Sequence, residues 1–459
     1  MPRPGRSALL DGRFQVLVVV LGGLFVLQSS NSLDPAKSAY FLLAIAAVAG
    51  AVVSAPSWLS NTRSAMARAW LIAAASVVVL LIVSLAVSRA HGTSITPWLR
   101  DASAYALFAA APILALACAS TASRRWLVAL LAVCGALGSL SFAVEWIGRR
   151  NLASLPIGRI ALPSETLAAA LLALATAVAL VGLSRRWWWA ATGGAVLGLF
   201  FITGSRATLM LLVVPIGAAV FAGRPWRPAA RVLLIEAAVA VAVFLAGESG
   251  IAVANGNISI SLPFSTASAG QSAGPTGTPA PDRLGQRISS IGTLITDPRS
   301  DQSFQERLAQ TKSAWEAFTS SPLLGVGPGY TFQWTNSANQ VVGAFTLDTP
   351  LVYLAKFGLL GLIPMALFVG AYLQLALELW RRQQARLEYL ALIGFAFVVA
   401  VVGVQDFPIE DKGASFAIIL VLALGLHGLL RENPPGELVA APSVAEQPAA
   451  ADERGATGG

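Results

Sequence analysis

Isolated arginines between apolar segments are the residues of this chain best suited to chemistry. Arg100 lies in TPWLRDASAY, Arg149 and Arg150 in IGRRN, Arg159 in LPIGRIAL and Arg206 in ITGSRATLM. A guanidinium is a planar fork of donors that stays protonated, and it grips phosphate oxygens through paired, charge-assisted hydrogen bonds. Several such groups at one membrane face form an anion site suited to phosphate oxygens. The competing reading for each is contact with lipid headgroups from a helix end. For Arg100 the adjacent Asp101 offers a third use, a local ion pair. Arg206 stands apart, because Gly204-Ser205-Arg206 is a tight hairpin between two short apolar segments and holds the group at the membrane surface with little freedom.

The elements that must position these groups are membrane helices. Of the 459 residues, 56% are hydrophobic and 12% charged, a balance that excludes a set of soluble cores and predicts an all-α polytopic membrane protein. Apolar segments of about 17–22 residues fit a hydrocarbon core of ~30 Å at ~1.5 Å rise per residue. About twelve can be marked, at 14–30, 38–55, 69–88, 103–119, 126–146, 164–183, 187–203, 207–222, 232–247, 350–376, 388–404 and 415–430. Lys and Arg in short loops set orientation. Arg3, Arg6 and Arg13, Arg63 and Arg68, Arg124 and Arg125, Arg185 and Arg186, Arg224, Arg227 and Arg231, and Arg381, Arg382 and Arg386 all fall on one side. With twelve transmembrane helices that side is the cytoplasm and holds both termini. The isolated arginines then lie at the opposite, outer face.

The domains follow: transmembrane helices 1–9 over 1–247, one large periplasmic loop between helices 9 and 10 over 248–348, helices 10–12 over 349–431, and a disordered cytoplasmic tail over 432–459. The first apolar run lacks a small-residue cleavage site and does not read as a cleavable signal. Cys118 and Cys134 fall inside apolar segments, so neither a disulfide framework nor a metal site is suggested. The net charge of +8 is accounted for by the basic loops, and nothing resembles a nucleic-acid patch.

The loop has two halves. Residues 248–300, including STASAGQSAGPTGTPAP, have too little apolar surface for a core and read as a spacer. In FQERLAQTKSAWEAFTSS, Leu308, Ala309, Trp315 and Phe318 recur at helical spacing, which predicts an amphipathic helix at about 303–320 near the outer surface. SSPLLGVGPGY is a turn whose glycine-rich backbone has the composition of a phosphate cradle, although without the strand and helix that usually frame one. Lys356 falls two turns into the tenth apolar segment, where an ionisable group faces a polar cavity, finds a partner or snorkels.

Together these elements resemble the O-antigen ligase/polymerase superfamily: about twelve spans, Ser205-Arg206 at a periplasmic hairpin, a large late periplasmic loop, a helix carrying Arg307 and Trp315, PLLGVGPG, and the pattern L-x-x-L-x-K-x-G-L-L-G from Leu351 to Gly361. The resemblance is fullest from about 200 to 365. It implies a bacterial inner-membrane, polyprenol-dependent glycosyltransferase that needs neither metal nor other cofactor. Such an enzyme takes a glycan from an undecaprenyl-diphosphate carrier at the periplasmic face and passes it to a glycan, lipid A core or protein hydroxyl. The family's essential arginine falls on Arg206, with Arg100 as companion and Arg149, Arg150, Arg159, Lys356 and Arg307 as further groups for the diphosphate.

One departure matters. Ligases of this family carry a His just before the span matching the tenth one here, whereas this chain has only His91 and His427, neither at that place. Asp348 occupies it. A carboxylate there can accept the acceptor's proton, and it can equally serve as a helix N-cap. Asp101, Glu165, Asp406, Glu410 and Asp411 are competing carboxylates at the outer face. The alternatives to a transferase are a flippase for the lipid-linked glycan and a relative that binds it without turnover.

Overall fold

Runs of Ala, Leu, Val and Phe dominate the chain, and in lipid a backbone satisfies its own polar groups by coiling into helix. A computed structural model describes residues 65–151, 165–182, 186–203, 210–223, 226–248, 250–254, 257–261, 302–336, 339–382, 385–405 and 412–430. The expectations placed on the first two apolar segments, Arg159, Arg206, Asp406, Glu410, Asp411, the stretch 262–300 and the tail lie outside the described residues.

The helices are α1 (Ala65–Ala90), α2 (Ile95–Thr121), α3 (Arg124–Asn151), α4 (Glu165–Val181), α5 (Arg186–Thr203), α6 (Val213–Phe221), α7 (Trp226–Glu248), α8 (Gln302–Ser320), α9 (Leu351–Phe357), α10 (Leu362–Arg381), α11 (Arg386–Gln405) and α12 (Lys412–Leu430). Among the described residues, five stretches are long and apolar enough to cross a membrane: Met66–Ala90, Ile95–Ser120, Trp226–Gly247, Leu359–Arg381 and Arg386–Gly403. Thr166–Val181, Trp187–Ile202, Met210–Phe221 and Ala414–Leu430 are shorter apolar helices.

Small residues let these helices approach closely, as packing in lipid favours. A Cβ on Gly193 of α5 would lie 2.7 Å from Glu236 Oε1 of α7, and one on Gly198 2.7 Å from the Ala240 carbonyl oxygen. Both numbers rise together, so α5 and α7 run parallel and start at the same end. That end is fixed by polar contacts. Arg124 Nε lies 2.9 Å from Glu388 Oε1, Arg382 donates to the Leu429 carbonyl at 3.2 Å, and His427 Nδ1 is 3.0 Å from the Ala119 carbonyl oxygen. The ends of α2, α10 and α12 therefore meet the starts of α3 and α11. Arg124, Arg125, Arg381, Arg382 and Arg386 share one end of the bundle, the separation of charge read from the loops.

Two stretches differ from the sequence reading. The first residues of the long loop form an antiparallel pair, β1 (Gly250–Ala254) with β2 (Asn257–Ser261). Ile251, Val253, Ile258 and Ile260 alternate with small residues, the period-2 signature of a strand, and the low-complexity sequence that follows obscures it.

The apolar run 350–376 is not one helix either. It is α9, a 3-10 turn at Leu359–Gly361, and then α10. In an unbroken helix the Leu359 and Leu360 N–H groups would bond to the Ala355 and Lys356 carbonyls. Here they donate to Pro322 and Leu323 at 2.9 and 3.1 Å, while Val326 and Gly327 donate to Ala355 and Lys356 at 2.9 Å each. The PLLGVG segment has inserted its backbone into the helix and taken over its hydrogen bonds. Gly358 turns the chain with φ +60°, and the Tyr353 hydroxyl donates to the Gly361 carbonyl at 2.6 Å across the break.

Gly327 is required twice over, by φ +84° and because a Cβ there would meet Ser88 Oγ, with Ser88 Cα at 3.0 Å. Gly327→Ala is expected to destabilise the fold by about 2 kcal/mol or more. Gly370→Ala, in α10 with open space around the glycine, should be neutral or gain up to about 1 kcal/mol. Melting midpoints in detergent check the pair, and equal midpoints would contradict this account of the loop.

Candidate functional site

At the end away from the basic turns, the ends of α1, α2 and α9 meet the glycine-rich loop. Asp101, in the second turn of α2, receives Lys356 Nζ on one carboxylate oxygen at 2.8 Å and the Gly329 N–H on the other at 2.7 Å. Lys356 is fully buried and Asp101 nearly so. The ammonium lies 6.0 Å from the centroid of Tyr105, one turn further along α2, and the Tyr105 ring packs edge-on against Phe357 at 4.8 Å. Ser88 Oγ donates to the Pro328 carbonyl at 3.0 Å. The last turn of α9 and the GVGPG loop are thus fastened to α1 and α2.

This arrangement answers three expectations. Asp101 pairs with Lys356, not with its neighbour Arg100. Lys356 turns inward and presents no surface to a ligand. The N–H groups of Gly325, Val326, Gly327 and Gly329 all donate within the protein, to Ser321, Ala355, Lys356 and Asp101, so the glycine loop is a fastening and not a phosphate cradle.

Three further polar groups lie around the segment that leads into α9. Arg100 is exposed, with its guanidinium carbon 5.0 Å from the centroid of Phe345. Three residues on, the Asp348 N–H donates to Gln310 Oε1 of α8 at 2.7 Å. Gln310 shares the inward face of α8 with Arg307, Ala314 and Ala317, the last two and Gln310 itself buried. Arg307 is half-buried, and its Nε has no hydrogen-bond partner among the described residues. An Nε–H shut away from water without an acceptor is costly, a cost that an added anion at this site would relieve.

Asp348 is half-buried, and it is not the N-cap of α9. Pro350 holds that position and makes no side-chain cap bond. The backbone is held instead by Thr349, whose Oγ1 accepts from Leu351 N at 3.4 Å. Asp348, Arg307 and Arg100 are therefore brought around one short segment. Arg149 and Arg150 lie on the last turn of α3 and Glu165 begins α4, but their side chains are outside the description. His91 is exposed in the turn between α1 and α2, and His427 is at the basic end.

Two polar residues were missed in the sequence. Gln310 carries a signal in retrospect, one turn after Arg307 on the same helical face. Glu236, in the middle of α7, is 1% exposed and accepts from Thr176 Oγ1 at 2.8 Å. Its signal was plain, a lone carboxylate within an apolar segment.

A bundle of apolar helices, with five described stretches long and apolar enough to cross a membrane, defines a polytopic membrane protein. Residues 192–366, from within α5 to the first turns of α10, match the family described as O-antigen ligase. Over that stretch the chain is similar to the O-antigen ligase family, in agreement with the resemblance carried by its motifs. Comparison with curated proteins gives no match. The matched stretch holds Arg206, Arg307, Asp348 and Lys356, while Arg100 and Asp101 lie outside it.

Removing one partner of a buried ion pair leaves an uncompensated charge, whereas removing both does not. Lys356→Met and Asp101→Asn are each expected to cost about 3–5 kcal/mol, and the double variant to recover most of it; the asparagine keeps an acceptor for Gly329. Unfolding midpoints of the four proteins in a detergent titration measure the coupling, and additive losses would show that the pair is not the fastening.

Proposed function

We propose that this protein transfers a glycan from an undecaprenyl-diphosphate carrier to an acceptor hydroxyl at the periplasmic face of a bacterial inner membrane. The observation that carries the reading is the placing of Asp348 against the Arg307-bearing face of α8, with Arg100 over Phe345 nearby, in a chain whose 192–366 stretch matches O-antigen ligases. Acceptors consistent with the family are a further glycan repeat, lipid A core or a protein hydroxyl.

Transfer forms a bond from the acceptor oxygen to the anomeric carbon and breaks the bond from that carbon to the diphosphate oxygen. The leaving diphosphate gains charge as its bond breaks. Fixed guanidinium groups stabilise that charge better in the transition state than in the bound donor, which is what lowers the barrier. Arg206 is the first candidate, joined by Arg100 and Arg307, with Arg149, Arg150 and Arg159 as further groups. The acceptor's proton passes to the Asp348 carboxylate, and direct attack inverts the anomeric centre. Lys356 acts on this site through position, because its pair with Asp101 anchors the helix that follows Asp348. The basic end of the bundle is then cytoplasmic.

Asp348→Asn is expected to lower kcat by about 10²–10⁴-fold, and Arg206→Ala to abolish detectable transfer while the protein remains folded and inserted. Arg307→Ala should cost about 10²-fold. Reconstitution with a lipid-diphosphate glycan, with released undecaprenyl diphosphate and product followed by mass spectrometry, checks all three. Transfer at the unmodified rate by Arg206→Ala or Asp348→Asn would remove that residue from the mechanism. Movement of the intact carrier across the bilayer without its release would make the protein a flippase.

A further inference from the structure

The outward face of α8 is apolar. At about 100° per residue, its circumference divides into three sectors. The inward sector holds Arg307, Gln310, Ala314 and Ala317. A polar outer sector carries Lys312 and Glu316, an ion pair at 3.9 Å. Between them stand Phe304, Leu308 and Trp315 on one stripe, with Leu308 53% and Trp315 51% exposed. Helices that pack on a core in water turn their large apolar side chains inward. On α8 most inward side chains are small or polar, Phe318 alone of the large apolar ones packs against the core, and Phe304, Leu308 and Trp315 face out.

The stripe does not stop at the helix end. Leu323, 64% exposed, and Leu324 continue it. The backbone bonds from Leu359 and Leu360 to the Pro322 and Leu323 carbonyls set these leucines beside Leu359, Leu360 and Ile363, which are themselves exposed. Those three residues open the stretch Leu359–Arg381, one of the five long and apolar enough to cross a membrane. Exposed apolar residues that run from a membrane-crossing stretch to the turn after α8 and recur along the helix call for the same surroundings, and those are lipid.

We infer that α8 lies on the bilayer, with Phe304, Leu308, Trp315, Leu323 and Leu324 inserted among the headgroups and upper acyl chains of the leaflet at that end of the bundle. Lys312 and Glu316 border the inserted stripe on its polar side. Arg307, on the other flank, is held at headgroup depth, where the phosphate of any lipid ligand lies. The docking does not depend on glycan transfer, so it stands or falls separately from the activity.

The test uses full-length Leu308→Cys protein in phosphatidylcholine vesicles, labelled with an environment-sensitive fluorophore. The native Cys118 and Cys134 are buried, and unsubstituted protein taken through the same labelling supplies the background. Lipids brominated high on the acyl chain are expected to quench the emission about twofold, while aqueous iodide leaves it nearly unchanged. Strong quenching by iodide with none from brominated lipid overturns the proposal, because the face is then in water. Shielding from both quenchers also overturns it in favour of a second copy of the chain on the stripe, which cross-linking of the Leu308→Cys protein would display. Trp315→Cys labelled in the same way repeats the measurement at an independent point.

Discussion

A buried ion pair holds the site end of this molecule together. Lys356 and Asp101 are 255 positions apart in the chain and meet at 2.8 Å with almost no contact with water. Burying two charges carries a desolvation penalty that their attraction offsets only with good geometry and further hydrogen bonds. Both conditions are met, since Asp101 also takes the Gly329 N–H and the ammonium rests near the Tyr105 ring. A pair of this kind adds little net stability and much specificity of position. It locks the last turn of α9 to α2, and through the glycine loop it locks the arm that carries α8 to α1 as well.

The break between α9 and α10 follows from the same fastening. The loop 322–327 donates to and accepts from backbone groups that an unbroken helix would use for itself. The backbone groups of Ala355, Lys356, Leu359 and Leu360 that lose their partners within the helix find new ones in the loop, which spares the membrane boundary those unsatisfied groups. The result is a short, rigid helix whose N-terminal approach, Phe345 to Thr349, is stretched between Arg100 on α2 and Gln310 on α8. Asp348 is presented from that segment, and its orientation therefore depends on an ion pair buried further along α9. The α8 helix, with Gln310, Ala314 and Ala317 inward and Phe304, Leu308 and Trp315 outward, turns an apolar stripe away from this rigid end.

Much of the architecture was legible in the residue pattern because lipid leaves few options. The apolar segments from the third to the twelfth mark described helices, and the arginine-rich turns lie together at one end of the bundle. The resemblance carried by PLLGVGPG and L-x-x-L-x-K-x-G-L-L-G agrees with the family match over 192–366. Local periodicity failed where distant backbone intervened. Nothing between Leu351 and Leu362 announces a break, because the groups that cause it sit some 30 residues earlier in a turn. The β1–β2 pair was passed over for a different reason, its alternation being short and adjacent to low-complexity sequence.

The site divides along the same line. Residue types indicated arginines as anion groups, because charge and hydrogen-bonding capacity belong to single side chains, and the resemblance to O-antigen ligases pointed to Asp348 at the place where they carry a His. Which charges remain available is a property of pairs, and pairs form across the fold. Lys356 looked like a ligand group and is consumed by Asp101. The glycine loop looked like a phosphate cradle and has its N–H groups engaged. Gln310 drew no notice in the sequence and accepts the Asp348 N–H. Composition and periodicity determined that this is a helical membrane protein with basic groups sorted to one side. Only the tertiary structure decided which polar groups neutralise one another in the interior and which stay open at its edge.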